Sequence, residues 1–222
     1  MDAFQCNDDL RKLVAENLAS FDVRGSSDPD LRRAAVAVMV TDVGLGPDLP
    51  GLENFAEWSD EAALMLTRRS ERLRNHPGQW AFPGGRMDPG ESVGETALRE
   101  MHEEVGIKLE PANVLGCLDD FVTRSGFAIT PVVIWGGPDL AADPNPDEVA
   151  SVHRIPLREF CRKDAPKLRK VKTSEHPILR MPVGKDHIAA PTAALIYQFR
   201  EVCLSGKDTR VAHFEQPRFA WK

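Results

Sequence analysis

Three glutamates fall within five positions of the chain, shortly after a glycine-rich stretch: Glu100, Glu103 and Glu104. Residues spaced i, i+3 and i+4 lie side by side on one face of a helix. Each like-charge pair at this spacing destabilises an isolated helix by about 0.2 to 0.5 kcal/mol. A hard divalent cation reverses that cost, because Mg²⁺ prefers carboxylate oxygens as ligands. The pattern therefore predicts either a metal-binding helix face or an acidic face that is only solvated.

Local signals define the bounds of this helix. Ser92 followed three residues later by Glu95 is a capping box, which predicts a helix that begins just after Ser92. Gly106 suits the left-handed residue that ends a helix, so the predicted helix covers residues 93–105. Apolar residues recur every fourth position and predict a stripe that packs on a sheet: Val93, Ala97, Met101 and Val105, with Leu98.

Strand and helix patterns are mixed along the rest of the chain rather than strictly alternating. Short apolar and β-branched runs predict strands at residues 34–43, 62–70, 114–123, 127–135 and 148–156. Helical spacing predicts an N-terminal helix over residues 10–18, a short helix after residue 156 and a closing helix over residues 192–204. A hairpin is predicted around residues 184–186. This mixture predicts an α/β fold with one mixed sheet and helices on its faces.

Composition narrows the classes of function. The 222 residues suffice for one substantial core, and 28 basic against 34 acidic residues give a formal charge of −6, which argues against nucleic acid or an anionic membrane as partner. Four dispersed cysteines without a CxxC pair predict reduced, buried thiols. The first twenty residues lack an apolar signal region, and no stretch reaches the roughly 18 apolar residues of a membrane span. We therefore expect a soluble cytoplasmic protein.

The glutamates belong to a longer motif. Residues 85–107 read G-RMDPG-E-SVGETAL-R-E-M-H-E-E-V-G-I and match G-x5-E-x7-R-E-U-x-E-E-x-G-U, with U aliphatic, at every specified position. On this motif the chain resembles the Nudix hydrolases, metal-dependent enzymes that split a diphosphate linked to another group. The resemblance implies a Nudix α/β/α sandwich over residues 33–222, with a mixed β-sheet between helices. Residues 1–32 would be an N-terminal helical extension that packs on this domain or on a partner chain, and the second arrangement would be a homodimer.

The resemblance also implies roles for motif residues. Glu100 and Glu104 would be the principal ligands of Mg²⁺ or Mn²⁺, and Glu103 a further ligand or a water-orienting carboxylate. Arg99 would hold and orient a carboxylate of the cluster. Glu91 would tie the loop to the helix or join the outer metal shell.

The glycines and the general base complete the expected catalytic set. Gly84 and Gly85 carry no Cβ, so their backbone can approach a metal and a phosphate closely. The base stays open at this point. The candidates are Glu100 or Glu103 within the motif and Glu148 on a later loop. The alternative for Glu148 is a structural or surface residue near the start of a strand.

The segment before the motif bears on the substrate. Residues 65–85, MLTRRSERLRNHPGQWAFPGG, resemble L-L-T-x-R-[SA]-x3-R-x3-G-x3-F-P-G-G of the coenzyme A diphosphatase branch, and similarity extends over roughly residues 33–157. This implies hydrolysis of CoA or acyl-CoA to 3′,5′-ADP and 4′-phosphopantetheine or its acyl form. Two alternatives stay open. One is the same chemistry on ADP-ribose, a dinucleotide or a nucleoside triphosphate, and the other is a catalytically silent module that binds nucleotide.

Arginines in this segment are the expected substrate ligands. Arg68, Arg69 and Arg74 lie close together in an acidic chain, and guanidinium groups make charge-assisted contacts to phosphates such as the 3′-phosphate of CoA. A solvated basic loop is the alternative for each of them. Phe82 and Gly85 complete the expected substrate-binding set. Residues 188–193 read IAAPTA where the branch has tryptophan and glycine, which predicts a roomier wall over the substrate.

Overall fold

A computed structural model describes residues 3–171 and 174–217. Two sheets account for its strands, which are β1 (Arg32–Gly44), β2 (Ser59–Arg69), β3 (Trp80–Ala81), β4 (Gly84–Arg86), β5 (Val114–Cys117), β6 (Phe121–Val122), β7 (Phe127–Gly137), β8 (Val149–Pro156), β9 (Lys167–Val171), β10 (Ser174–Val183) and β11 (Asp186–Ala189). The α-helices are α1 (Asp8–Ala19), α2 (Val93–Val105), α3 (Leu157–Phe160) and α4 (Thr192–Phe199). A 3-10 turn precedes β5 (Pro111–Asn113) and a π-helical turn continues α4 (Arg200–Leu204).

Strand β1 is the centre of the larger sheet. It pairs antiparallel with β2 and β4 and parallel with β7, in the order β3-β2-β1-β7-β5. Strand β8 pairs with β2, and β6 pairs with β7. Because parallel and antiparallel pairs share the sheet, the predicted mixed sheet is confirmed. The smaller sheet has the order β11-β10-β9 and contains the predicted hairpin.

Side-chain alternation along β1 separates two apolar layers. Val38 and Val40 face a layer that contains the buried residues of α1 and α4. Ala37 and Met39 face the other layer, together with Ala97 and its neighbours on α2. The larger sheet thus lies between helices on both faces, as expected for an α/β/α sandwich.

Helix α2 has the predicted bounds. Ser92 Oγ accepts the N–H of Glu95, the Glu95 carboxylate accepts the N–H of Ser92, and Gly106 ends the helix with a φ of 71°. A left-handed residue at this position is well served by glycine, which lacks a Cβ. The predicted apolar stripe packs on the sheet, with Ala97, Met101 and Val105 fully buried and Val93 and Leu98 partly buried.

Helix α1 packs on the domain of its own chain. Leu10, Val14 and Leu18 are buried in the layer shared with α4, while Leu13, which has a similar apolar character in the sequence, is exposed. The segment that follows is held by two buried carboxylates, because Asp119 accepts the N–H of Arg24 and Asp120 accepts the N–H of Ser26. Residues 20–31 therefore form a connecting segment that lies against the domain and leads into β1.

One strand prediction needs correction, and three short strands were not predicted. The single strand expected over residues 114–123 is two short strands, β5 and β6, and the residues between them bury the carboxylates of Asp119 and Asp120. Strands β3 and β4 have only two and three residues, and β9 is largely exposed and basic, so none of them has the apolar run of a predictable strand. Within the two described ranges, none of the helices has the length and apolar character needed to cross a bilayer.

Candidate active site

Helix α2 presents its three clustered glutamates at very different depths. Glu104 is buried, with 6% of the residue exposed. The side chain of Glu100 is 12% exposed, whereas that of Glu103 is 54% exposed. Glu104 Oε2 accepts the N–H of Gly84 at 3.3 Å. The helix thus places two carboxylates inside the molecule and one at its rim.

The Arg99 guanidinium donates hydrogen bonds to four residues around these carboxylates. Its Nε donates to Glu91 Oε1 at 2.7 Å, and its Nη1 donates to Glu100 Oε1 at 2.8 Å and to Glu103 Oε2 at 3.0 Å. Nη2 donates to the carbonyl of Arg86 at 3.0 Å. These hydrogen bonds raise the pKa of Arg99 above its ordinary value, and the largest cause is the bond to Glu91. The guanidinium therefore stays charged and fixes the orientation of the glutamates around it.

Glu91 links the loop before α2 to the helix. Its carboxylate accepts the N–H of Asp88 at 3.0 Å and the hydroxyl of Thr96 at 2.7 Å, besides two bonds from Arg99. The bonds from Arg99, followed by those from Asp88 and Thr96, lower the pKa of Glu91 to about 2. Glu91 is thus an ionised anchor that holds Arg99 in place.

The protein does not fully compensate the charged forms of the two buried glutamates. Burial, followed by the charge of Glu100, raises the pKa of Glu104 to about 8, although the charge of Arg69 acts in the opposite direction. Burial also raises the pKa of Glu100. The bond and charge of Arg99 act to lower it, whereas the charges of Glu103 and Glu148 act to raise it. Two carboxyl groups in one poorly solvated place favour protonation unless a cation joins them.

This donor set fits a hard divalent cation. Among the described residues, no three acidic, histidine or cysteine side chains form a complete cage for a metal. Mg²⁺ does not require one, because it commonly binds one or two carboxylates and takes water or substrate phosphate as its remaining ligands. Glu100 and Glu104 supply the two carboxylates, and their raised pKa values reflect the charge that such an ion would neutralise.

The loop before β8 closes the C-terminal end of α2. Asn145 donates its N–H to the carbonyl of Glu104 at 2.9 Å, and Asp143 donates to the carbonyl of Val105 at 2.9 Å. Glu148 then donates its N–H to the carbonyl of Asn145, while its own carbonyl accepts the N–H of Ser70 at 2.8 Å. This backbone network brings Glu148 next to the cluster, where its charge acts on both buried glutamates.

Two glycines of β4 make room for the carboxylates. A Cβ at Gly85 would lie 2.3 Å from Glu100 Oε1, which is far inside van der Waals contact. A Cβ at Gly84 would lie 2.4 Å from the carbonyl oxygen of Ala35. Both positions therefore require glycine for close packing, Gly85 against the glutamate and Gly84 against β1.

A cavity of about 580 Å³ opens beside β4. Gly84 and Gly85 lie on its wall, together with the expected substrate residues Arg69 and Phe82. The side chains of α4 and of one face of β1 and β7 complete it, among them Ala34, Val36, Phe127, Ile129 and Leu195. None of the clustered glutamates lines the cavity, so the glycines form the thin partition between it and the carboxylates.

Arg68 and Arg74, the other two arginines expected to bind substrate, do not line the cavity. Arg68 is bonded to Asp186 and to the carbonyl of Gly78, and its guanidinium stacks 3.9 Å from the ring centre of Trp80. Arg74 is exposed on the loop between β2 and β3 and does not line the cavity. The structure thus brings Arg69 to the site and directs Arg68 towards the smaller sheet.

The wall formed by α4 also differs from expectation. Pro191, Thr192 and Leu195 line the cavity there, and Thr192 donates its hydroxyl to the carbonyl of Trp80 at 3.1 Å. Ala189 is paired with Arg180 in the hairpin, and Ala190 is buried in the core. The two alanines therefore do not widen the cavity directly, because neither faces it.

A family model described as the NUDIX domain matches residues 57–175, which include β2, β4, α2 and the loop that carries Glu148. The chain belongs to the NUDIX domain family. The match covers more than half of the 222 residues.

Relatives of this Nudix chain share its central part. The Nudix hydrolase NudL of Yersinia enterocolitica is 48% identical over 103 residues, which cover 46% of this chain and 53% of that protein. Nudix hydrolase 3 of Caenorhabditis elegans is 42% identical over 105 residues, which cover 46% of this chain and 44% of that protein. The chain therefore spans about half the length of the curated relatives it matches. Among solved structures, the NUDIX domain of Shewanella oneidensis NrtR, in complex with ADP ribose, aligns at 20% identity with a TM-score of 0.47, covering 84% of this chain and 96% of that one.

Several residues on the cavity wall of this Nudix chain were not expected from the sequence, among them Arg32, Arg86 and Phe127. Arg32 lies outside the residues that the family model matches, and Arg86 occupies a variable position of the motif. Only the pairing of β1 with β4 and β7 brings the three together. No local spacing in the sequence could have indicated this cluster.

Proposed function

We propose that this chain is a divalent-metal-dependent hydrolase that cleaves the diphosphate of CoA or an acyl-CoA. The products would be 3′,5′-ADP and 4′-phosphopantetheine or its acyl form. One observation carries the proposal. The buried pair Glu100 and Glu104, whose charged forms the protein does not fully compensate, lies across two glycines from a cavity that Arg69 lines.

Hydrolysis adds a water oxygen to one phosphorus, breaks its bond to the bridging oxygen and releases one proton. Bound Mg²⁺ or Mn²⁺ supplies charge neutralisation for the diphosphate and lowers the pKa of water. Arg99 keeps Glu100 and Glu103 in a fixed orientation, so little reorganisation is needed during the reaction. Glu148, held beside the cluster by its backbone, accepts the proton in this proposal, and Glu100 and Glu103 are the alternative bases.

Recognition of the rest of the substrate falls to the cavity. Its volume is typical of sites for small molecules, which combine apolar walls with a few polar groups. Phe82 and Leu195 supply apolar wall, and Arg69 lies where cavity and carboxylates meet, since its charge lowers the pKa of Glu104. The match of residues 65–85 to the element of the coenzyme A diphosphatase branch supports CoA as the substrate.

A substrate panel tests the proposal. CoA, an acyl-CoA, ADP-ribose, NADH and nucleoside triphosphates are compared by kcat/KM with Mg²⁺ or Mn²⁺, and each reaction is repeated in EDTA. We expect the highest value for CoA or the acyl-CoA and no turnover in EDTA. Faster cleavage of ADP-ribose would exclude the CoA assignment and keep the hydrolase, while full turnover in EDTA would exclude the metal-dependent mechanism.

A further inference from the structure

Arg32, Arg86 and Phe127 form a cluster on the wall of the cavity. Phe127 is directly paired with Arg32 across β7 and β1, and the Arg32 guanidinium carbon lies 3.9 Å from the centre of its ring. The guanidinium carbon of Arg86 lies 5.3 Å from the same ring centre. One aromatic ring thus supports two cationic side chains.

Neither guanidinium is neutralised by the protein. Among the described residues, no carboxylate oxygen lies within 4.0 Å of Arg32 or Arg86, whereas the neighbouring Arg33 pairs with Asp120 at 2.9 Å. Both arginines are exposed at the cavity mouth. A guanidinium that stacks on an aromatic ring keeps its N–H groups in the plane available for an anion.

The cluster lies on the other side of the sheet from the glutamates. Arg86 is paired with Ala34, and Ala34 is paired with Ile129, so these residues share the face that carries the cavity. Gly85 precedes Arg86, and its missing Cβ would point at Glu100. Because successive residues of a strand face opposite sides, Arg86 points away from the carboxylates. A diphosphate held at the glutamates would therefore leave Arg32 and Arg86 to a different group.

The backbone around the cluster is already fixed. Arg32 donates its N–H to the carbonyl of Gly126 at 3.1 Å, and its side chain donates to the carbonyl of Ser125. The carbonyl of Arg86 is held by Arg99 at 3.0 Å. A binding site whose backbone is ordered in advance loses less entropy when a ligand binds.

We propose that Arg32 and Arg86, supported by Phe127, form a subsite for a phosphomonoester of the substrate, separate from the diphosphate that is cleaved. The inference rests on the proposed function, and for CoA the group is the 3′-phosphate. In this proposal the main contacts to the 3′-phosphate are made by Arg32 and Arg86, which lie outside the segment 65–85. They replace Arg74, which does not line the cavity. Arg69 stays at the junction with the carboxylates.

Binding of a product nucleotide tests the subsite without any turnover. Calorimetry compares 3′,5′-ADP with 5′-AMP, which differ only in the 3′-phosphate, for the wild-type chain, Arg32→Gln, Arg86→Gln and the double variant. Arg169→Gln, on the exposed strand β9, is the charge-matched control. We expect the wild-type chain and the control to bind 3′,5′-ADP about 10- to 100-fold more tightly than 5′-AMP. Each single variant should lose most of that preference, and the double variant should lose all of it, with little change for 5′-AMP.

The outcomes separate this proposal from the hydrolase proposal. Equal affinity of the wild-type chain for the two nucleotides, absence of binding of both, or a preference that survives in the double variant overturns the subsite. A preference that disappears in Arg74→Gln instead also overturns it. If the preference depends on Arg32 and Arg86 and yet CoA is not hydrolysed, the subsite stands and the proposed reaction fails. If CoA is hydrolysed but 3′,5′-ADP is not preferred over 5′-AMP, the proposed reaction stands and the subsite fails.

Discussion

The carboxylate of Glu100 lies directly against the backbone of Gly85, so close that a Cβ at that glycine would lie 2.3 Å from Oε1. Gly85→Ala must therefore displace the glutamate, and a shift of about 1 Å in a catalytic group can cost on the order of 100-fold in rate. We expect such a loss in kcat with the fold retained, measured by steady-state kinetics and circular dichroism.

Gly94→Ala is the matched control. A Cβ at Gly94, inside α2, would meet nothing closer than 3.8 Å. Replacing glycine by alanine within a helix stabilises by about 0.5 to 1 kcal/mol, so Tm should rise while kcat stays native. Native activity in Gly85→Ala would show that the position of Glu100 does not matter for turnover.

Removal of either buried charge should abolish most activity. Glu100→Gln and Glu104→Gln should each lower kcat at least about 100-fold, or roughly 3 kcal/mol, because each removes one proposed metal ligand. Glu95→Gln on the same helix keeps the capping box, since glutamine can replace glutamate there, and should be near native. A near-native rate in Glu100→Gln or Glu104→Gln, with metal present, would remove that residue from the site.

The stability of the metal-free chain should fall as pH rises. The pKa of Glu104 is raised from 4.5 to about 8 by burial and by Glu100, so its protonated form stabilises the fold fully below about 4.5. That contribution is lost as pH increases through about 8. In EDTA, Tm of the wild-type chain should decrease relative to Glu104→Gln between pH 5 and pH 9. Parallel Tm curves for the two proteins would contradict a buried, protonated Glu104.

Arg99→Lys should weaken metal binding while the charge is kept. A lysine ammonium cannot reproduce the planar set of bonds by which Arg99 reaches Glu91, Glu100 and Glu103. Loss of a group that orients ligands typically costs about 10- to 100-fold in metal affinity. Titration with Mn²⁺ followed by electron paramagnetic resonance measures the Kd. An unchanged Kd would mean that charge alone, without the hydrogen bonds, suffices at this position.

Glu148→Gln distinguishes the candidate bases. Loss of a general base usually costs about 10²- to 10⁴-fold in rate, and it should also remove the acidic limb of the pH dependence of kcat. The backbone bonds from Glu148 to Ser70 and Asn145 are preserved in this variant, so the fold should not change. If the acidic limb persists with a modest loss of rate, the base is Glu100 or Glu103 instead.

Helix α2 was predictable because its signals are local. Ser92, Glu95 and Gly106 define its ends within fifteen residues, and each acts through hydrogen bonds or backbone conformation at the terminus itself. The central strands were also indicated by apolar runs, and a mixed sheet followed from the order of the elements. The spacing of the glutamates is equally local, whereas the roles expected for them and for Arg99 came from the resemblance of residues 85–107 to the Nudix motif.

Long-range pairing explains what the sequence did not indicate. Strand β4 has three residues, two of them glycines, and acquires its place only by pairing with β1 about fifty positions earlier. Arg32, Arg86 and Phe127 meet through that register. The separation of Arg68 from Arg69, however, follows from the strand predicted over residues 62–70, because adjacent residues of a strand face opposite sides.

In the proposed function, the two glycines of β4 separate a part of the molecule for chemistry from a part for selection. Helix α2 with its carboxylates lies behind them, and the cavity with Arg32, Arg86 and Phe127 lies in front. Within the described part of the chain, the side chains of Arg32, Arg86 and Phe127 form no ion pair with any of the glutamates, so they can be exchanged without removing a partner of a carboxylate. Under the proposed function, substitutions at these three positions would change which molecule is accepted while the bond-breaking apparatus stays intact.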